Sequence, residues 1–207
     1  MIKKLYIVFL LLFLFSFLFA SPISFSGGKS SLVLKNGEEK VSLEEGAKVI
    51  SGALTITSDS MTLSGNGWKT VECFGSVCII DSEKNIEIRT SKLLYDRESE
   101  TIIIPAWVEI DDKEQELYIE AGSLYYYMEE ERLELSMLVT LFKITDNSLM
   151  KCTSESLIYD REKENATLKG RSHVEWNGDS YEADVIVVDM TNNEITLSGG
   201  IKGTING

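Results

Sequence analysis

Few residues of this chain combine a reactive type with a spacing that chemistry can use. There is one histidine, His173, so metal sites built on several histidines and mechanisms that need two are excluded. The three cysteines, Cys73, Cys78 and Cys152, lack the paired spacing of a zinc site. Cys73 and Cys78 can meet only if the chain turns at Gly75, and the plain reading is three small apolar residues on strands. Asp96-Arg97-Glu98 and Asp160-Arg161-Glu162 offer carboxylates for acid and base work. They recur at matching points of the chain, which fits turn scaffolding better than a unique catalytic centre. Glu129-Glu130-Glu131 lacks the ordered oxygen spacing of a calcium loop and reads as a solvated hairpin end. Tyr125-Tyr126-Tyr127 can stack a ligand only in part, since alternation along a strand turns at least one of the three outward. No Gly-x-Ser-x-Gly elbow is present. Asn165-Ala166-Thr167 matches a glycosylation acceptor, a short pattern that matters only on a eukaryotic secretory route. The expectation is therefore no enzyme, no metal and no cofactor.

Composition narrows the class further. The 207 residues carry 20 Lys+Arg against 33 Asp+Glu, a formal charge of −13. Phosphate binding needs a basic face, so nucleic acid is not an expected partner. A hydrophobic content of 43% suffices for a core and argues against an acidic disordered chain. The first residues obey other rules. Lys3 and Lys4 precede an apolar run from Leu5 to Phe19 that only Ser16 interrupts, and Ala20 and Pro22 follow. That run is shorter than the roughly 18 apolar residues of a spanning helix and has the form of a secretory leader. The expected organisation is a cleaved leader over 1–20 and one exported domain over 21–207, with a retained membrane anchor as the alternative. No cysteine follows the run, which disfavours lipid attachment there.

The elements that must position any function are strands. Ile102, Ile104, Ala106, Val108 and Ile110 occupy every second place, as do Leu133, Leu135, Met137, Val139 and Leu141. Ala166, Leu168 and Gly170 alternate likewise, then Val174 and Trp176, and near the end Ile195, Leu197, Gly199 and Ile201. Strand side chains alternate between faces, so each run sends one apolar row inward. The candidate inward rows are Ile56, Leu63, Ile88, Ile104, Val108, Ile119, Leu135, Met137, Val139, Leu168, Val174 and Leu197. Turn chemistry breaks the runs at Asn36-Gly37, Gly65-Asn66-Gly67, Asp111-Asp112, Asn177-Gly178 and Asn192-Asn193. Helix is expected for fewer than about one residue in ten of the mature chain.

The strands also repeat. Ser58, Thr90, Ala121, Ser154 and Ala183 are small residues at matching places, and five positions after each stand Leu63, Tyr95, Tyr126, Tyr159 and Val188. The period is about 30 residues, which predicts stacked antiparallel hairpins in which no unit buries its face alone. Leu94-Tyr95-Asp96-Arg97-Glu98 against Ile158-Tyr159-Asp160-Arg161-Glu162 is the closest internal match.

Those residues resemble the OstA/LptA-type periplasmic lipopolysaccharide-transport family. The carrying segments are Leu54-Thr55-Ile56-Thr57-Ser58-Asp59, Ser154 to Asp160 with Leu168-Lys169-Gly170, and Tyr181-Glu182-Ala183-Asp184 through Asp189 to Gly199. Two departures stand out: Gly122 follows Ala121 where an acid is usual, and Pro105 takes the place of a glycine. The resemblance implies an elongated, open β-jelly roll with an apolar slot along its length and a non-catalytic role in the periplasm. It implies a cargo of lipopolysaccharide or a related glycolipid. Its implied partners are inner- and outer-membrane transport components, met through unpaired strand edges at Ser31 to Leu34 and Ile195 to Ile201, and further copies stacked head to tail. A structural filament of the same β architecture without lipid cargo is the reading from another class.

Overall fold

The computed structural model describes residues 23–35, 39–145 and 148–206, and none of these is helical. The expected leader and the Asn36-Gly37 turn lie outside the described residues. Six short strands come first: β1 (Ile23–Ser26), β2 (Lys29–Val33), β3 (Lys40–Glu44), β4 (Ala47–Ser51), β5 (Leu54–Ser58) and β6 (Ser60–Ser64). Two long strands, β7 (Thr70–Asp81) and β8 (Ile86–Asp96), precede short β9 (Thr101–Ile104), β10 (Val108–Asp112), β11 (Leu117–Ala121) and β12 (Ser123–Tyr127). Then come long β13 (Arg132–Thr145), β14 (Ser148–Asp160), β15 (Asn165–Trp176) and β16 (Asp179–Asp189), and short β17 (Glu194–Ser198) and β18 (Lys202–Thr204).

Every pairing is antiparallel, and the registers sort the segments into two faces. Face I runs β2, β3, β6, the first half of β7, the second half of β8, β9, β12, then alternate halves of β13 to β16, and ends on β17. Face II runs β1, β4, β5, the second half of β7, the first half of β8, β10, β11, the complementary halves of β13 to β16, and β18. Adjacent strands lie about 4.8 Å apart, so this stack is about 50 Å long, roughly three times the length of a five-residue segment. The protein is an all-β stack of antiparallel hairpins, as the alternation and the 30-residue period predict, in the elongated jelly-roll form that the resemblance implies. Among the described residues its two ends are open: β1 and β2 at one end and β17 and β18 at the other each pair on one side only.

The two long sides of the roll are built differently. On one, which we call the corner, the chain passes directly from one face to the other. The long strands bend there, with register shifts at 74–77, 136–139, 153–156 and 169–172. The repeated small residues sit at this bend, where Ser58, Ala121, Ser154 and Ala183 are buried between the converging faces and Thr90 is half-buried. Their hydroxyls also satisfy carbonyls that the bend takes out of the ladder: Ser58 Oγ donates to the Ser60 carbonyl at 2.8 Å, Ser154 Oγ to that of Ser156 at 2.9 Å, and Thr90 Oγ1 to that of Trp107 at 2.8 Å.

On the other side, which we call the seam, both faces end in hairpin turns. Asp81, Asp96, Asp112, Asp160 and Asp189 each close a strand and accept hydrogen bonds from backbone amides of the turn that follows. Each of these turns ends on a left-handed residue, Asn85, Glu100, Glu116, Glu164 or Asn193, with φ of 47–55°. The Asp111-Asp112 break therefore falls one residue later than the composition indicates, because Asp112 is the last strand residue and the cap of its own turn. Asn177 and Gly178 both have positive φ, the twist that joins two strands by a two-residue turn.

Candidate functional site

Ten of the twelve predicted inward residues, Ile56, Leu63, Ile88, Ile104, Val108, Ile119, Leu135, Val139, Leu168 and Val174, lie between the faces with at most 1% of their surface exposed. With Leu54, Leu93, Ile110, Leu141 and Ile186 they form one apolar column along the stack. The interior is packed by the protein's own side chains, so the expected slot along its length is filled. Leu197 is only half-buried, because among the described residues β17 pairs on one side only, with β16.

Met137 corrects the alternation outright. It is 58% exposed, and Leu138 beside it is 77% exposed. Both residues have left-handed backbone, φ 68° and 56°, where β13 rounds the corner, so their side chains swing outside and line an outer depression of about 650 Å³ with Thr153, Glu155 and Arg171. Elsewhere along this ridge a glycine faces an acid: Gly75 meets Asp59, Gly170 meets Glu155 and Gly199 meets Asp184, each too close for a Cβ. At β13 the two roles are exchanged. Gly122 stands where the acid is usual, and the bulky Met137 stands against it where the glycine is usual. The unusual Gly122 in the repeat was the available sign of this exchange.

The seam is held by side chains. Backbone hydrogen bonds between neighbouring turns stay within one face, such as Met128 to Glu100 and Arg161 to Glu131 on face I, and Lys113 to Asn85 on face II. Lys84, on the β7–β8 turn of face II, reaches across to the Met128 carbonyl at 3.0 Å and to Glu131 at 2.7 Å on the β12–β13 turn of face I. Arg161, on the β14–β15 turn of face I, reaches the other way. Its guanidinium meets Asp112 at 2.7 Å, Glu114 at 2.6 Å and the Lys84 carbonyl at 2.9 Å on face II, and also Glu131 at 3.1 Å. Its side chain is 7% exposed. Burial alone would lower the Arg161 pKa, but the hydrogen bonds its guanidinium donates to three carboxylates outweigh it and the net shift is upward. The Lys84 hydrogen bond, opposed by partial burial and helped by Arg161, holds the Glu131 carboxyl below its ordinary 4.5.

Beneath this cluster stand the tyrosines of the repeat. Tyr126 and Tyr159 are buried, and neither hydroxyl has a hydrogen-bond partner among the described residues. An unsatisfied buried hydroxyl costs about 1–3 kcal/mol. Tyr125 is exposed, so the triple divides as alternation requires. Beside the cluster, a depression of about 480 Å³ between the turns reaches Leu54 and Tyr95, two residues of the column.

The remaining candidates stay apart. Asp96 and Asp160 cap turns, as expected. Cys73 and Cys152 are in the column, where burial pushes each thiol up to about 12, whereas Cys78 faces outward toward Glu87. The chain does turn at Gly75, but Cys73 and Cys78 point to opposite sides and all three cysteines are free. His173 lies on the surface, 3.2 Å from Glu175 and 3.9 Å from Glu182. Among the described residues, no group of three or more His, Cys, Asp or Glu is placed to hold a metal ion. Nothing in the sequence around Arg161 signals this role, because it matches Arg97 in the Tyr-Asp-Arg-Glu run of a turn.

No protein-family model matches the chain, and no curated protein matches it. Among solved structures, the chain is similar to LptH of Pseudomonas aeruginosa, described as the LptA-homologous periplasmic component of the conserved lipopolysaccharide transport device. The match covers 90% of this chain and 96% of that one at 14% identity and a TM-score of 0.29, values at which the likeness carries no argument about function.

Proposed function

We propose that this is a non-catalytic periplasmic protein, exported with its leader removed, that carries or bridges lipopolysaccharide or a related glycolipid from the inner to the outer membrane. One observation carries the reading: a single apolar column runs along the roll and ends at strand edges on which no described residue pairs. Leu32, Val33 and Leu34 are exposed at one end, and Ile201 and Ile205 at the other. An unpaired edge beside exposed apolar residues is a template for β-augmentation, so one copy can extend the column of the next or dock on membrane components of the same architecture. The repeat phrase shared with the OstA/LptA-type family supports the same reading. An acyl chain gains roughly 0.8 kcal/mol per methylene removed from water. It can be seated in this packed interior only where the faces part and it replaces side-chain contacts.

The packing of the column favours a second reading, a structural filament that stacks through the same edges without cargo. Native mass spectrometry of the protein taken from its own cell envelope separates the two. Co-purifying glycolipid is the expected result, and repeated recovery of lipid-free oligomers would leave the filament standing.

A further inference from the structure

We propose that Arg161 is the latch of a lateral gate: the two faces part along the seam, hinging on the corner, and release of Arg161 admits an apolar chain to the column. The use of the gate rests on the lipid reading, but the latch itself rests on geometry. At the corner the faces are joined by continuous chain, and parting them there means breaking strands. At the seam the backbone bonds between turns stay within a face, while Lys84 and Arg161 cross it. Arg161 brings Asp112 and Glu114 of one face against Glu131 of the other. Without the guanidinium these like charges repel across the seam. The unpartnered hydroxyls of Tyr126 and Tyr159 lie just inside and gain hydrogen bonds when the seam opens to water or to a polar head group. The seam depression beside the latch already reaches Tyr95 and Leu54.

Two locks test the latch, with the protein's own buried thiols as reporters. In a Cys78→Ser background, Lys84→Cys with Glu131→Cys is bridged across the seam by a reducible bis-methanethiosulfonate. Asp59→Cys with Ser76→Cys is bridged likewise at the corner, where Ser76 Oγ lies 3.2 Å from the Asp59 carboxylate. Labelling of Cys73 and Cys152 by 4,4′-dithiodipyridine is then timed under native conditions. The seam lock is expected to slow labelling at least about tenfold, reversibly on reduction, while the corner lock leaves the rate near that of the unbridged protein. Equal slowing by both locks, or by neither, overturns the latch, because the core is then reached by global unfolding. Arg161→Met is expected to speed labelling, and the locks decide the matter even if that variant does not fold. Uptake of cis-parinaric acid by the same proteins separates the two claims. A seam lock that slows labelling in a protein that takes up no parinaric acid leaves the latch and removes the lipid reading. Parinaric acid entering the seam-locked form at the unbridged rate removes the latch and leaves the lipid reading.

Discussion

Two turns of this protein share the run Tyr-Asp-Arg-Glu and do different work. In both, the tyrosine points into the column and the aspartate caps its turn. Arg97 then turns back along its own face, where Nη1 donates to the carbonyls of Gly67 at 3.0 Å and Trp68 at 3.1 Å. Arg161 crosses the seam and is enclosed by three carboxylates. The difference lies in what stands opposite. Across from Arg161 is the Asp112 turn, which presents Asp112 and Glu114, whereas Arg97 donates to the Gly67 and Trp68 carbonyls of the preceding turn on its own face. The same local sequence thus ties one turn to its own face and the other to the opposite face.

The largest effect expected from breaking this contrast is at Arg161. Arg161→Met leaves Asp112 buried without its cation, and loss of one partner from such a cluster costs about 3–5 kcal/mol. Urea unfolding is the measurement, and a loss near 1 kcal/mol would show the cluster to be solvated. Arg97→Met removes hydrogen bonds to neutral carbonyls at a more open site and should cost about 1 kcal/mol in the same assay. A loss equal to that of Arg161→Met would erase the distinction between the turns.

Acid should weaken the seam with a defined sign. The Glu131 carboxyl is held below 4.5 in the folded protein, chiefly by Lys84. Its contribution is therefore complete above about pH 4.5 and is lost as pH falls through the lowered folded value. Thermal unfolding between neutral pH and pH 3 should show that limb, and Glu131→Gln should flatten it. An unchanged slope in Glu131→Gln would assign the acid sensitivity to other carboxylates, such as Asp96 and Asp160, which their own turns hold low through the Ser99 amide and Lys163 respectively.

The smallest effect is expected from the tyrosines beneath the latch. Tyr159→Phe and Tyr126→Phe each delete a buried hydroxyl with no partner among the described residues, so stability should be unchanged or slightly raised. A loss above about 1 kcal/mol in urea would mean that the hydroxyl is satisfied, and would weaken the case that the seam favours opening.

What the sequence alone determined is everything set within one hairpin. Period-two alternation assigned ten of twelve inward residues because the pleat turns successive side chains to opposite faces. The aspartates and Asn-Gly pairs marked turns through chemistry carried by neighbouring residues, and the small residues at about 30-residue spacing marked the repeat. What the tertiary structure decided is everything that depends on distant segments meeting. Met137 left its row because β13 must bend there and Gly122, between β11 and β12, leaves room for it. Arg161 became a buried cross-link, while Arg97 did not, because the fold sets Asp112 and Glu114, nearly fifty residues earlier in the chain, across the seam from one arginine and not the other.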